Sequence, residues 1–102
     1  YHASIAAAKG AVEGLTRTLA AEFAPSIRVN CIAPSITNTP LAEKLLNSEQ
    51  KLKASEERHP LKRIGNAKEI AETVAFLLSD SASFITGQII KIDGGISSVK
   101  TI

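Results

Sequence analysis

The sequence predicts an α/β domain in which helices alternate with parallel strands, and three observations carry this prediction. An amphipathic helix comes first, a short β-branched strand follows between two prolines, and further helices and a second strand repeat the alternation. Helices and strands in strict succession are typical of a parallel sheet with right-handed crossovers. Two strands are too few to form such a sheet alone, so we expect the chain to be part of a larger domain.

The first helix is predicted over residues 4–23 and ends before Pro25. One face carries bulky apolar residues on the spacing of helical turns, and another carries only small residues, which would let a second helix approach closely. Gly10 and Gly14 each cost on the order of 1 kcal/mol of helix propensity, which suggests that close packing compensates. The bulky face consists of Ile5, Val12, Leu15, Leu19 and Phe23, and the small face of Ala7, Ala11, Gly14, Thr18 and Ala21.

Two strands are predicted. Residues 27–33, IRVNCIA, are β-branched and bounded by Pro25 and Pro34, which favours a strand buried on both faces of a parallel sheet. This strand would be an interior one, so its second neighbour is expected outside the chain. The loop PSITNTP follows it. Residues 88–92 form the second strand, which stops at the turn Asp93-Gly94-Gly95.

The segments between the strands are less regular. Residues 41–57 are polar with a few leucines, so we expect a mobile helical excursion that buries little apolar surface. HPLKRIG is a connector. Asn66 with Glu69 three residues later is a capping-box-like start for a helix that runs to Ser79. SDSASFITG is then a loop before the second strand.

Composition excludes several classes of function. The net charge of +2 over 102 residues comes from scattered Lys and Arg, and aromatic residues are few, so nucleic acid is not an expected partner. No apolar run approaches the roughly 20 residues that span a membrane. The single cysteine, Cys31, excludes an internal disulfide and fits a reducing cytoplasm. No Cys/His cluster has metal-ligand spacing. The absence of Met suggests that the chain is a fragment.

Two blocks of sequence resemble the C-terminal half of short-chain dehydrogenases/reductases. They are AAAKGAVEGLTRTLAAEFAPSIRVNCIAPSITNTPL and HPLKRIGNAKEIAETVAFLLSDSASFITGQIIKIDGG, and together they cover roughly Ala3 to Gly95. The resemblance implies a Rossmann-like doubly wound parallel sheet that binds NAD or NADP. It also implies a small alcohol or carbonyl substrate and a homo-oligomer, either a dimer or a tetramer. The parent is expected to be a cytoplasmic oxidoreductase.

The resemblance covers only the second half of that family's domain. Its phosphate-binding turn, G-x-x-x-G-x-G, follows the first strand of the family's sheet, and nothing similar occurs in this sequence. We therefore expect residues 1–102 to be the C-terminal fragment of a single NAD(P)-binding Rossmann-like domain, with the Gly-rich N-terminal half absent. The isolated fragment is expected to be inactive.

Lys9 is the first candidate site residue. In the resembled family, tyrosine and lysine stand in the order Y-x-x-x-K; the tyrosine is the general acid/base, and the lysine lowers its pKa and binds the nicotinamide ribose. Lys9, followed by Gly-Ala-Val-Glu-Gly-Leu, matches the lysine position. The alternative is a solvated surface lysine that pairs with Glu13 one turn later.

The tyrosine position has two interpretations. Ile5 stands four residues before Lys9, and an isoleucine can neither donate nor accept a proton. Alternatively, YHAS at the start of the chain resembles the tyrosine tetrad, and residues 5–8 are an insertion. Tyr1 and Lys9 would then be about 12 Å apart along a helix axis, and the insertion would rotate Tyr1 by about 40° relative to the lysine. The catalytic candidates are thus Lys9 and Tyr1.

The loop PSITNTP is the second candidate site. The resembled family has a proline and a glycine after the penultimate strand and a threonine shortly afterwards, which together hold the nicotinamide carboxamide. Pro34, Ile36 and Thr39 fit this pattern, while Ser35 replaces the glycine and requires a backbone without positive φ. The alternative is a Ser/Thr-rich turn at the carboxyl end of a strand, which is also where ligands bind in open α/β sheets.

The remaining polar residues are weaker candidates. His59 precedes Pro60 in a connector and is expected at the surface, and no role is assigned to His2. Cys31 is expected to be an inert core thiol. The glycines of Asp93-Gly94-Gly95 are expected to supply turn geometry.

Three functions remain open for the parent protein. The first is an NAD(P)-dependent oxidoreductase. The second is a non-catalytic relative that keeps the fold but has lost the proton donor. The third is a structural role in which the small-residue helix face serves as an oligomer contact.

Overall fold

The structure is a computed structural model that describes residues 2–100. Helices and strands alternate along the chain, which confirms the predicted partial α/β fold. In chain order the elements are α1 (His2–Phe23), β1 (Cys31–Pro34), β2 (Thr37–Asn38), a 3-10 helix (Pro40–Leu45), α2 (Glu49–Arg58), β3 (Gly65–Asn66), α3 (Ala67–Leu78), a second 3-10 helix (Asp80–Ala82) and β4 (Ile89–Ile92).

The chain divides into two compact units. The first unit contains the residues up to Ile32 together with Ala75–Ile90. The second unit contains Ala33–Val74 together with the residues from Lys91 onward. Each unit thus takes its residues from two separate parts of the chain.

Two pairs of strands are present in the described residues. β1 pairs with β4, and the bonds Cys31 N–H to Gln88 O (2.9 Å) and Ser35 N–H to Ile92 O (3.2 Å) advance in the same direction along both strands. The pair is therefore parallel, as predicted. β2 pairs with β3, also in parallel, with Thr37 opposite Gly65. The second pair was not predicted, because two-residue strands are too short to show a periodicity.

The first strand is shorter than predicted, since β1 begins at Cys31 rather than residue 27. Before that point one backbone bond remains, from Gly87 N–H to Val29 O (2.7 Å), and side chains make the other bonds. The Val29 N–H donates to Thr86 Oγ1 (3.1 Å), the Asn30 amide donates to Ile85 O (2.9 Å), and Asn30 Oδ1 accepts from Gln88 N–H (3.1 Å). The prediction that this strand is buried on both faces is also wrong, because β1 is half-buried or exposed throughout. Cys31 is accordingly a half-buried free thiol, not a core one.

α1 confirms the predicted helix but not the packing expected of its glycines. Its buried residues are Thr16 and Ala20, and a Cβ added at Gly87 would lie 3.5 Å from Ala20 Cβ. The bulky face is about half exposed, with Ile5 at 52%. A Cβ added at Gly10 or Gly14 would meet nothing within 4 Å, so no packing within the chain compensates for these glycines.

The capping box predicted for the second long helix is confirmed at the start of α3. Asn66 Oδ1 accepts from Glu69 N–H, and Glu69 Oε1 accepts from Asn66 N–H, both at 2.9 Å. Two of the orphan N–H groups at this helix end are thereby satisfied. The helix itself ends at Leu78, one residue before the predicted Ser79.

Candidate functional site

Lys9 lies on α1 in the first unit, with an exposed side chain. It is seven residues before Thr16 and eleven before Ala20, and these separations place all three on one helix face. Thr16 (5% exposed) and Ala20 (4%) are buried. The exposed Lys9 lies on the same helix face, about two turns before Thr16. Among residues 2–100, no ion pair joins Lys9 to Glu13. The ammonium is therefore available to an external acceptor.

The position one turn before Lys9 carries no proton donor. α1 is unbroken from His2 to Phe23, so Ile5 and Lys9 share a face at the spacing of the family's tyrosine and lysine. Ile5 is 52% exposed. Tyr1, the other candidate for the tyrosine role, lies outside the described residues. Which of the two occupies the tyrosine position stays a prediction.

The loop after β1 lies in the second unit, and backbone hydrogen bonds hold it at both ends. The Ser35 N–H donates to Ile92 O (3.2 Å) on β4, and Ile36 O accepts from Gly65 N–H (3.0 Å) at the start of β3. Pro34 is the exposed last residue of β1. Thr39 is the N-cap of the following 3-10 helix, where its hydroxyl oxygen accepts from Ala42 N–H (3.4 Å).

Ser35 does not adopt a left-handed backbone conformation. Among residues 2–100, the non-glycine residue with positive φ is Lys62. The replacement of the family's glycine by serine therefore causes no backbone strain at this position.

His59 is buried, which corrects the expectation that it lies at the surface. The side chain is 2% exposed. Its Nδ1 lies 2.7 Å from Ser55 O, one turn earlier in α2, and its Nε2 lies 2.9 Å from Ser35 Oγ in the loop after β1. A buried imidazole requires partners for both nitrogens, and these two contacts supply them.

The Asp93-Gly94-Gly95 turn supplies backbone geometry, as predicted. Gly94 and Gly95 have φ values of 58° and 87°, a region that favours glycine. A Cβ added at Gly94 would lie 3.4 Å from His59 Cδ2, so the turn lies next to the imidazole.

A pocket of about 360 Å³ opens among these elements in the second unit, at the carboxyl ends of β1 and β4. Ser35, His59 and the Asp93 turn line it. The carboxyl ends of parallel strands are where α/β folds bind ligands. The charged residues that also line the pocket are Arg63, Glu69, Lys91 and Asp93.

Hydrogen bonds stabilise both carboxylates of this pocket in the ionised form. The Arg63 guanidinium, bonded to both Glu69 oxygens at 2.7 and 2.9 Å, and the Asn66 N–H lower the pKa of Glu69 to about 2. The Ser97 hydroxyl and the Gly95 N–H lower the pKa of Asp93. The hydrogen bonds to Glu69 and its negative charge in turn raise the pKa of Arg63. The pocket therefore carries two negative and two positive groups near neutral pH.

The pairing of His59 with Ser35 could not be predicted from the sequence. The two residues are 24 positions apart, and no spacing rule connects a connector histidine to a loop serine. The one feature of the sequence that could have indicated this contact is Ser35 itself. A hydroxyl where the family has a glycine needs a partner if it is to be buried.

Neither a metal centre nor a membrane-spanning helix is found in the part of the chain that the structure describes. No three His, Cys, Asp or Glu residues within 2–100 cluster closely enough to hold a metal ion. None of the helices in that range is long and apolar enough to cross a membrane.

Comparison with known proteins extends over nearly the whole chain. Residues 1–97 match the family described as enoyl-(acyl carrier protein) reductase. A tropinone reductase homolog of Arabidopsis thaliana is 48% identical over 92 residues, which are 89% of this chain and 35% of that protein.

Solved structures agree with this result. A short-chain dehydrogenase/reductase from Brucella melitensis superposes with a TM-score of 0.82 at 44% identity, over 88% of this chain and 36% of that one. A 4-hydroxyisoleucine dehydrogenase complexed with NADH superposes with a TM-score of 0.86 at 36% identity, over 92% and 39%. The chain thus spans little more than a third of the length of these relatives. It belongs to the short-chain dehydrogenase/reductase family.

Proposed function

We propose that the protein to which this chain contributes is an NAD(P)-dependent oxidoreductase acting on an alcohol or carbonyl substrate, and that residues 1–102 are the C-terminal part of its single nucleotide-binding domain. The observation that carries the proposal is Lys9: an exposed ammonium without an ion-pair partner in residues 2–100, within a segment that matches the family's lysine-bearing helix. The relatives support it, since they are named as reductases or dehydrogenases and one is complexed with NADH.

Each unit, taken by itself, offers groups that suit one part of a nicotinamide nucleotide. The Lys9 ammonium has three hydrogens to donate to ribose hydroxyls. In the second unit, the loop residues Pro34, Ser35, Ile36 and Thr39 offer backbone groups and hydroxyls suited to the carboxamide. The pyrophosphate would be held by residues outside this chain, because no Gly-rich turn occurs in its sequence.

A bound nicotinamide supplies hydride transfer to or from a carbon atom. Lys9 orients the ribose and places a positive charge near the group that exchanges the proton, where it favours the ionised form of an acidic partner. The proton itself cannot pass through Ile5, one turn before Lys9. It would have to pass through Tyr1 or through a residue outside the chain.

A second candidate follows from Ile5 alone. If Ile5 occupies the tyrosine position on the unbroken α1, the protein keeps the fold and the ribose-binding lysine but lacks the proton donor. Loss of a positioned acid/base typically costs about 10²–10⁴ in rate. The protein would then bind nucleotide and turn over ordinary alcohols and ketones slowly or not at all.

Fluorescence titration of the full-length protein with NADH and NADPH tests the cofactor proposal. Lys9→Ala should weaken binding about tenfold, because it removes charge-assisted hydrogen bonds. Lys68→Ala is the matched control, since Lys68 is exposed on α3 and pairs only loosely with Glu72 at 3.6 Å. Nucleotide binding that Lys9→Ala leaves unchanged would contradict the role of this lysine.

A turnover screen over alcohols and ketones separates the two candidates. Tyr1→Phe should abolish turnover if Tyr1 is the proton donor. If Ile5 occupies the tyrosine position, Tyr1→Phe should change little, and Ile5→Tyr should raise the rate.

We further propose that the protein acts as a homo-oligomer in the cytoplasm. The small-residue face of α1 is exposed in this chain, and Gly14 leaves open space beside it. Cys31 is a free thiol, which fits a reducing compartment. Ala11→Arg should dissociate the assembly in light scattering, and an unchanged oligomer would show that this face is not the interface.

A further inference from the structure

Two of the four charged groups in the pocket of about 360 Å³ neutralise each other. The Arg63 guanidinium bonds to both carboxylate oxygens of Glu69, at 2.7 and 2.9 Å. A pair bonded in this way is already satisfied and offers little to a ligand. The charged side chains of the pocket that remain are those of Lys91 and Asp93.

Lys91, in β4, and Asp93, directly after β4, are two residues apart and carry opposite charges. Residues two apart in an extended chain lie on the same face, with Cα atoms about 7 Å from each other. Among residues 2–100 no ion pair involves Lys91, so this lysine and Asp93 are near each other without being paired. The Lys91 ammonium therefore has its hydrogens available to a ligand.

The Asp93 carboxylate keeps acceptor capacity for a ligand. It accepts from Gly95 N–H (2.9 Å), from Ser97 N–H (3.3 Å) and from the Ser97 hydroxyl. A carboxylate has about four lone-pair sites, so a further donor can be accepted. The Ser97 hydroxyl is the main cause of the lowered pKa of Asp93, and the positive charge of Lys91 adds a smaller part.

The same pocket has an apolar wall formed by Leu61, Ile64 and Ile92. Leu61 is 65% exposed, so a ligand that covers it would remove apolar surface from water. Small-molecule sites are typically about 300–1,000 Å³ in volume, and the pocket lies in this range. It thus combines one unpaired cation, one anion and an apolar wall.

We propose that this pocket binds a small zwitterion with an apolar side chain, of the class of the aliphatic α-amino acids. Lys91 pairs with its carboxylate, Asp93 pairs with its ammonium, and Leu61 and Ile64 contact its side chain. A ligand with only one of the two charges would leave Lys91 or Asp93 without a partner, which favours the zwitterion. The residues of the site all belong to the second unit, and the inference does not depend on the proposed oxidoreductase activity.

Calorimetric titration of the full-length protein with L-leucine tests the proposal. Two analogues keep the leucine side chain with one charged group each: 3-methylbutylamine lacks the carboxylate, and 4-methylpentanoate lacks the ammonium. Leucine should bind about tenfold more tightly than either analogue, since each analogue loses one charge-assisted pair. Glycine, which has no side chain to cover the apolar wall, should bind more weakly than leucine.

Variants of the two charged residues assign each end of the ligand. Lys91→Gln should weaken leucine about tenfold without weakening 3-methylbutylamine, which has no carboxylate. Asp93→Asn should weaken leucine without weakening 4-methylpentanoate. If Asp93→Asn does not fold, Lys91→Gln and the ligand series still decide the matter. Lys53→Gln is the matched control, because Lys53 is exposed on α2, lies outside the pocket and has no ion pair among residues 2–100.

The outcomes that would overturn the inference are specific to it. No heat of binding at millimolar leucine would exclude the site. Equal weakening of leucine and 3-methylbutylamine by Lys91→Gln, or the same loss in Lys53→Gln, would contradict the pairing of Lys91 with a carboxylate. Titration of the same protein with NADH tests the proposed function separately, so either proposal can fail while the other stands.

Discussion

α1 in the first unit and the segment around His59 in the second unit bury opposite kinds of side chain. On α1 the buried residues are Thr16 and Ala20, while Leu15 is 56% exposed. In the second unit a histidine is 2% exposed because both ring nitrogens have partners. The side chains that α1 buries are thus small, whereas the larger imidazole of the second unit is buried with partners for both ring nitrogens.

The glycines of α1 differ from those of the turn after β4. Gly10 and Gly14 on α1 have open space where a side chain would be. Gly94 and Gly95 have positive φ and close neighbours. Within this chain the first unit leaves room around its helix, whereas the second unit is constrained around its turn. Substitutions at equivalent residue types should therefore have opposite effects on stability.

The largest effect is expected at Gly95. Its φ is 87°, and a Cβ there would lie 3.1 Å from Val99 Cγ2 and 3.2 Å from Pro60 Cγ. Gly95→Ala should destabilise the protein, since an L-residue in the left-handed region costs about 1–2 kcal/mol and crowding adds about 1–3 kcal/mol. Urea unfolding measures the loss. A change below the error of that measurement would mean that the turn is not constrained.

A smaller effect of the opposite sign is expected at Gly10. Gly10→Ala should stabilise the protein by about 1 kcal/mol, because alanine has the higher helix propensity and meets no neighbour within 4 Å. The same unfolding experiment measures it. If Gly10→Ala destabilises the protein instead, residues outside this chain must approach α1 at Gly10. The first unit would then be as constrained as the second.

The smallest effect is expected at Glu69, whose partner Arg63 is exposed at the surface. The pKa of Glu69 lies at about 2, below its ordinary value of 4.5, so its ionised form stabilises the fold above pH 4.5. That contribution is lost as the pH falls from 4.5 toward 2. The wild type should thus be more stable than Glu69→Gln at neutral pH, and the difference should shrink over this interval.

Unfolding curves of both proteins at several pH values test this prediction. Glu72→Gln is the control, because Glu72 has only the loose contact with Lys68. A difference between wild type and Glu69→Gln that stays constant down to pH 2 would contradict the expectation.

Sequence periodicity was sufficient to predict the helices and the parallel β1–β4 pair. The capping box at Asn66 and Glu69 could be predicted to the residue, because it is a local pattern with a fixed spacing. The start of β1 could not be predicted in this way. The side-chain amide of Asn30 bonds to Ile85 O and to Gln88 N–H, and contacts of this kind leave no periodic signal in the sequence.

The candidate site was predicted in part. Lys9 and the loop from Pro34 to Thr39 were recognised from flanking sequence, and their ligand contacts stay predictions. The burial of His59 could not be foreseen, because it depends on a serine 24 residues away. Local sequence predicts what a segment forms, whereas the partner of a side chain is decided by contacts between distant positions.

The pairing of Thr37–Asn38 with Gly65–Asn66 has a consequence for how the molecule can vary. It brings together the two ends of the segment 39–64, so the separation of these ends does not depend on the length of the chain between them. Each doubling of the length of a flexible closed loop costs only about 0.6 kcal/mol in conformational entropy. Leu41, which is 91% exposed, lies on this segment. Insertions and deletions next to Leu41 should be tolerated, so this surface can change shape while the paired strand ends keep their places.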